Sequence, residues 1–165
     1  MDNLLDASDL SGFPGAPFKE NIVAAVADAV RHEVGWHIAP ERTETVEVDT
    51  DKLSIAILPT LRVSEVQEVR NAETGAVISG WTLSRNRGLL RKKGGNWPTI
   101  IEVDLTHGYE KCPPALLPVL AEWSQRARAG LVSQESLGSR SVSFRPEYDR
   151  MSAAVVGRFA LPPRP

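Results

Sequence analysis

The stretch from Ile22 to Pro40 reads IVAAVADAVRHEVGWHIAP, and it decides how the rest of the chain can be arranged. Its apolar residues recur at the spacing of a helix: Ile22, Val26, Ala29, Val30 and Val34. Gly35 follows them and can leave the helix through a positive φ, which bulky residues resist. Because Pro17 suits a first helical turn, the pattern predicts a helix over residues 17–35, after which Trp36 folds back on the apolar stripe.

Beyond Pro40 the period changes from helical to alternating. Residues 45–49 and 53–57 alternate apolar with polar side chains, as half-buried strands do, and turn-like residues separate them. A further strand is predicted over residues 97–106. Five or six such short strands, joined by turns, predict an antiparallel β-insertion over residues 43–106.

Two more helices are predicted after the insertion. Pro113 opens the first, over residues 113–129, with Trp123 in its apolar stripe and Gly130 as its stop. The second, over residues 147–159, carries one apolar side formed by Tyr148, Met151, Ala154, Val155 and Phe159. Residues 131–145, between the two helices, are expected to form a loop or hairpin.

The fold class that follows is α+β: a small core of three amphipathic helices, with an antiparallel sheet inserted between the first and the second. Residues 1–16 are expected to be an N-terminal arm that is mobile in isolation, and residues 161–165 an extended C-terminal tail. Residues 17–160 then form a single domain. Its helices offer a limited core for this length, which hints at completion by neighbouring subunits.

The net charge and the cysteine content limit the classes of protein to which this chain could belong. The chain of 165 residues has a formal net charge of −2, whereas a protein that grips nucleic acid through its phosphates normally carries a basic excess. Contact with DNA is therefore expected to be steric and transient. The single cysteine cannot form an intrachain disulfide. No secretory signal and no bilayer-spanning stretch is recognisable, so a soluble, non-secreted protein is expected.

Candidate catalytic and metal-binding residues are few. His107 and Cys112 invite a thiol-nucleophile interpretation, but no orienting partner is evident, and a buried, inert cysteine is favoured. His32 and His37 flank the end of the first helix, where packing or capping explains them better than a metal does. We therefore expect no enzyme activity, no metal and no cofactor.

One dense basic cluster occurs, and it consists of Arg85, Arg87, Arg91, Lys92 and Lys93. It could contact nucleic acid, with Trp81 and Trp97 as flanking stacking surfaces. The alternative is a solvated hairpin tip or a patch that faces an acidic partner. The alternative is favoured because the chain as a whole is acidic and arginines are common at protein interfaces.

Three stretches, taken in order, resemble the head-to-tail adaptor (connector) proteins of tailed bacteriophages, especially siphophages of actinobacterial hosts. The first is the alanine-rich helix of residues 22–40, which ends in GWHIAP. The second, residues 103–116, reads VDLTHGYEKCPPAL and is similar to the family's strand, Gly-Tyr turn and proline-initiated helix. The third, residues 132–144, resembles the family's SE-S-G--SV-F loop, and VGRFALP at 156–162 resembles its helix end.

The resemblance implies a structural virion protein, not an enzyme. Members of that family form a ring, usually of twelve copies, on the tail-side face of the portal; the ring extends the DNA channel for packaging and ejection and docks the next neck protein. Assembly is expected in the host cytoplasm. The structural or interface candidates are Gly35, Trp36, His37, Gly108, Tyr109, Pro113, Trp123, Ser136, Gly138 and Phe144.

Other functions stay open at this point. A different neck component, such as a stopper or tail terminator, is the nearest alternative, although such proteins are usually richer in β-structure. A β-containing module that binds nucleic acid through the basic cluster is the second. An enzyme built on Cys112 and His107 comes last.

Overall fold

The computed structural model describes residues 3–135 and 150–162. Within these residues it confirms the α+β fold, with three α-helices and two small antiparallel sheets, and with a sheet between the first and second helix. The elements are a 3-10 helix (Ala7–Leu10), α1 (Glu20–Val34), β1 (Arg42–Asp49), β2 (Ile55–Ile57), β3 (Val63–Asn71), β4 (Trp81–Ser84), a 3-10 turn (Arg85–Arg87), β5 (Leu89–Lys92), β6 (Ile100–His107), α2 (Leu117–Glu135) and α3 (Arg150–Gly157).

The chain divides into two compact units. One, the helical unit, comprises Met1–Gly35 and Lys111–Ala160; the other, the β unit, comprises Trp36–Glu110 and Leu161–Pro165. The first helix closes as predicted, because Gly35 adopts a left-handed φ of 80° and its N–H donates to the carbonyl of Arg31. The helix buries Ile22, Val23, Val26, Ala27, Val30 and Val34.

Helix α2 differs from its prediction at both ends. It begins at Leu117 and not at Pro113, because the preceding residues form a turn in which the N–H of Leu116 donates to the carbonyl of Pro113. It also continues through Gly130, since an exposed glycine inside a helix costs only about 1 kcal/mol. Residues 131–135 of the predicted loop are therefore helical, and residues 136–149 lie outside the described residues.

Helix α3 was predicted with the wrong buried side. Ser152 and Val156 are the buried residues, whereas Met151 is 78% exposed. The polar residue can be buried because its hydroxyl donates to Oε2 of Glu122, at 3.0 Å. A polar side chain with a partner on α2 thus replaces the apolar stripe that periodicity alone suggested.

Residues 1–16 were expected to form an arm that is mobile in isolation, and the structure packs part of residues 3–16 into the helical unit. Leu4, Leu5 and Leu10 are buried, and Leu10 is completely inaccessible. The amide of Ala7 donates to the carboxylate of Glu20 at the start of α1. Burial of three leucines contributes roughly 1.5–3 kcal/mol each, which accounts for a defined conformation in a segment without periodicity.

The β unit contains two three-stranded antiparallel sheets. Sheet A has the order β1-β6-β3 and sheet B the order β2-β5-β4. In β6 the side chains alternate strictly, so that Ile101, Val103 and Leu105 are buried. They share one core with residues near or within sheet B, including Leu90 of β5 and Trp97. Because one core lies between the sheets, their outward faces point away from each other.

Candidate functional site

Two stretches that lie far apart in the sequence meet at the end of β6. We call this region the histidine junction and define it as Trp36–Pro40 together with His107–Tyr109. The amide of Tyr109 donates to the carbonyl of Ile38, at 2.7 Å. This hydrogen bond joins the first residues of the β unit to residues near position 110, within that unit.

The backbone of the junction is tightly specified. Ile38 has a φ of 65°, which is unusual for a β-branched residue, and Gly108 has a φ of 109°. A Cβ atom on Gly108 would lie 2.7 Å from Nε2 of His37 and 3.0 Å from the carbonyl oxygen of Pro40. Only glycine fits here, both for its conformation and for the space that it leaves.

Aromatic rings fill the junction in edge contacts. The rings of Trp36 and His37 are perpendicular with centroids 5.8 Å apart, and those of His37 and His107 lie 4.5 Å apart at 81°. Tyr109 packs against Trp36 at 6.2 Å and carries the guanidinium of Arg62 over its ring at 5.6 Å. The predicted interface candidates of this region are thus brought together as a packed cluster.

The two histidines have different hydrogen-bond partners, and burial lowers the pKa of both. Nε2 of His107 lies 2.8 Å from Oε1 of Glu44, and Nε2 of His37 lies 3.0 Å from the carbonyl oxygen of Pro40. Burial lowers the pKa of His107, and burial together with the neighbouring His107 lowers the pKa of His37 to about 4. Although burial opposes it, hydrogen bonds from His107 and Arg42 hold the pKa of Glu44 below its ordinary value.

These groups do not form a catalytic arrangement among the described residues. The carboxylate of Glu44 can only accept, so Nε2 of His107 carries the proton. Burial raises the pKa of the Cys112 thiol to about 12, which removes the thiolate that a nucleophile needs. Within residues 3–135 and 150–162, no group of three or more potential ligands could hold a metal ion.

The basic cluster lies on the 3-10 turn and on β5, and it ends just beyond that strand. Nζ of Lys92 donates to the carbonyl of Ser79 at 2.7 Å and lies over the ring of Trp97, while Arg85 donates to the carbonyl of Ser64. Trp97 is only 2% exposed, so it offers no surface for base stacking. The nucleic-acid interpretation therefore loses one of its two flanking aromatic surfaces.

An acidic surface on sheet A was not predicted. Its outward carboxylates, which we call the acidic face, belong to Glu47, Asp49, Glu65, Glu68, Glu102 and Asp104. Glu47 stands directly opposite Glu102 in the register of β1 and β6. The sequence does show acidic residues in three separate strands. The strand register was needed to place these residues on one face of the sheet.

Arg70, on the edge strand β3, is a cation that pairs with this face. Its guanidinium lies 2.6 Å from both Glu68 and Asp104 and 3.4 Å from Glu102. Hydrogen bonds from Thr45 and Arg70 lower the pKa of Asp104. No ion pair within the described residues involves Glu47 or Glu65, so this face keeps uncompensated charge.

The other interface candidates fall into two groups. Pro113 and Trp123 are buried in the helical unit, and Trp123 has no exposed surface. Ser136, Gly138 and Phe144 lie outside the described residues. A role in subunit contacts stays a prediction for all of these positions.

Comparison with known proteins gives a match in structure and none in sequence. No protein-family model and no curated protein matches the chain. Three chains of solved structures match, among them one from the "Neck of empty GTA particle computed with C6 symmetry". That match has a TM-score of 0.62 and 15% identity, and it covers 98% of this chain and 91% of the other. The likeness establishes a common fold over nearly the whole length.

In the described parts of the chain, no helix is both long enough and apolar enough to span a bilayer.

Proposed function

We propose that this protein is a head-to-tail adaptor of a tailed bacteriophage or phage-like particle. In this role it forms a ring under the portal, extends the DNA channel and docks the next neck or tail component. The observation that carries the proposal is the common fold with a chain from the neck of a GTA particle, over 98% of this chain. The adaptor-like motifs of the sequence, found in the same order as in that family, point the same way.

The histidine junction gives those motifs a physical meaning. GWHIAP and the HGY turn are separated by the whole β-insertion, yet they form one packed cluster with a shared hydrogen bond from Tyr109 to Ile38. Such sequence motifs determine the path of the backbone and supply no catalytic group. This is what a structural adaptor requires, and it supports a non-enzymatic role.

Ring formation is part of the proposal. The neck chain of similar fold belongs to a particle whose neck was computed with C6 symmetry. A cyclic assembly repeats one heterologous contact between successive subunits, and the adaptor resemblance implies twelve copies. We expect the partners to be further copies of this chain, the portal and the next neck protein, with DNA passing through the channel in steric contact only.

Deletion of the gene tests this function most directly. Particles assembled without this chain should yield heads and tails that remain separate, and supply of the intact chain should restore joining. Negative-stain electron microscopy of the purified chain mixed with portal should show an added ring on the tail-side face. Normal joining in the absence of the chain would contradict the proposal.

The same mixing experiment separates the adaptor from the other neck roles. A stopper should bind only after another ring has docked on the portal, and a tail terminator should bind the end of the tail tube. Binding to the isolated portal, with no binding to isolated tails, is the result expected of an adaptor.

A further inference from the structure

Acidic and basic residues are segregated along the chain of the β unit. The acidic face lies on sheet A, whereas the chain between Glu73 and Glu102 contains the whole basic cluster and no acidic residue. That segment includes β4 and β5 of sheet B. Although the net charge of the chain is only −2, acidic and basic residues are strongly separated within this one unit.

Arg91 and the acidic face lie on different sides of the common core, so they cannot pair within one molecule. Val103 of β6 and Leu90 of β5 point into the common core between the sheets. Alternation along each strand then directs Glu102 and Asp104 away from the core on one side and Arg91 on the other. The acidic face and Arg91 are consequently on opposite sides of the β unit.

Several of these charges also have no partner on their own side. Arg87, Arg91 and Lys93 are exposed and make no ion pair or side-chain hydrogen bond within the described residues. On sheet A, Glu47 and Glu102 are directly opposed like charges, an arrangement that destabilises a sheet unless a cation is supplied. Arg70 contacts Glu102 but not Glu47.

We propose that successive copies of this chain associate through these surfaces, with the acidic face of one copy against the basic cluster of the next. DNA would account for the basic cluster alone, and a basic partner for the acidic face alone. A second copy accounts for both at once. Two different, complementary patches at separate positions are also what a heterologous, repeating contact requires. This inference rests on the proposed ring-forming function and names its subunit contact.

Charge reversal on one side tests the contact. The acidic-face variant is Glu47→Lys with Glu65→Lys, and the basic-cluster variant is Arg91→Glu with Lys93→Glu. Sedimentation velocity of the full chain at high concentration, about 0.5 mM, should show association at low salt that disappears at high salt, where the Debye length shrinks to a few ångströms. Either variant should associate at least about tenfold more weakly than the wild-type chain, because like charges then face each other.

Mixing the two variants makes the test specific. Each contact in an alternating assembly then pairs opposite charges again, so the mixture should recover the association that each variant has lost. Controls with the same changes in net charge are Glu33→Lys with Glu110→Lys, and Lys19→Glu with Lys111→Glu, all at exposed positions outside both surfaces. These controls should associate like the wild-type chain, and circular dichroism should show that all variants are folded.

Three results would overturn the inference: no association of the wild-type chain at low salt, no recovery in the mixture, or equal weakening in the controls. Binding of a short DNA duplex that is lost in the basic-cluster variant, with association unchanged, would assign that cluster to nucleic acid instead. Failure here is distinguishable from failure of the proposed function. If gene deletion blocks joining while the acidic-face variant still joins heads to tails, only the subunit contact is wrong.

Discussion

The histidine junction and the charged surfaces of the β unit differ in how far their groups have partners within the folded chain. In the junction, Gly108 is closely surrounded by neighbouring atoms, and His107 has a hydrogen-bond partner in Glu44. On the charged surfaces, Glu47 and Arg91 face solvent without an ion-pair partner in the described residues. One region therefore specifies the fold from within, whereas the other is left incomplete and can be completed by another molecule.

The largest expected effect is a loss of stability on substitution of Gly108, the glycine of the junction. Gly108→Ala should lower the free energy of unfolding by about 3 kcal/mol, because alanine is strained at a φ of 109° and its Cβ would overlap His37 and the Pro40 carbonyl. Gly94→Ala is the matched control, since it shares a positive φ, of 76°, but has open space around it. It should cost about 1 kcal/mol. Urea denaturation monitored by tryptophan fluorescence measures both.

The difference between the two alanine variants isolates the packing of the junction. Equal losses of unfolding free energy at positions 108 and 94 would mean that backbone conformation alone is responsible. In that case the close approach of His37 and Pro40 to Gly108 would contribute nothing to stability, and the contrast between the junction and the surface would fail.

The fold was predictable wherever periodicity and a clear stop coincide. Helix α1 shows this, because five apolar residues at helical spacing end at a glycine, which the structure places in the left-handed region. Helix α3 shows the opposite, because the hydrogen bond from Ser152 to Glu122 selects its buried side. A contact with another helix depends on tertiary structure, and the periodicity of a single helix does not reveal it. The same holds for the N-terminal leucines.

The second largest expected effect is a loss of folding stability at acidic pH, caused by the junction histidines. The pKa of His37 lies at about 4, against roughly 6.5 in an unfolded chain. Between these values the unfolded chain binds more protons than the folded one, so stability is complete above about pH 6.5 and falls as the pH is lowered toward 4. With allowance for partial exposure of the ring, a loss of roughly 1–2 kcal/mol is expected from this residue.

Denaturation between pH 7 and pH 4 tests this assignment. The variant His37→Gln should show a shallower fall than the wild-type chain, with the remaining fall due to His107, whose pKa is also lowered by burial. His32→Gln, at an exposed position on α1, should follow the wild-type profile. A wild-type stability that is constant over this pH range would show that the junction histidines are not held neutral.

The residues of the candidate site were predictable from the sequence to different degrees. The basic cluster was evident because its members are close in the chain. The acidic face was missed because its members come from three strands, and only the pairing of β1 and β3 with β6 brings them side by side. Trp97 was considered as a stacking surface, yet it is buried, because the strand pattern could not show that a core lies between two sheets.

The smallest expected effect has the opposite sign, because it is a gain in stability. Glu47→Lys should raise the free energy of unfolding by about 0.5 kcal/mol, since a lysine opposite Glu102 replaces a like-charge cross-strand pair with an opposite-charge pair. Glu33→Lys, exposed on α1, should leave stability unchanged within that margin. The gain should shrink in high salt, as a surface charge effect does. A loss of stability at position 47 would mean that the acidic face is already compensated within the folded chain. A gain, together with weaker association of the same chain, would show that the charge is kept for contact with another molecule at the expense of the fold.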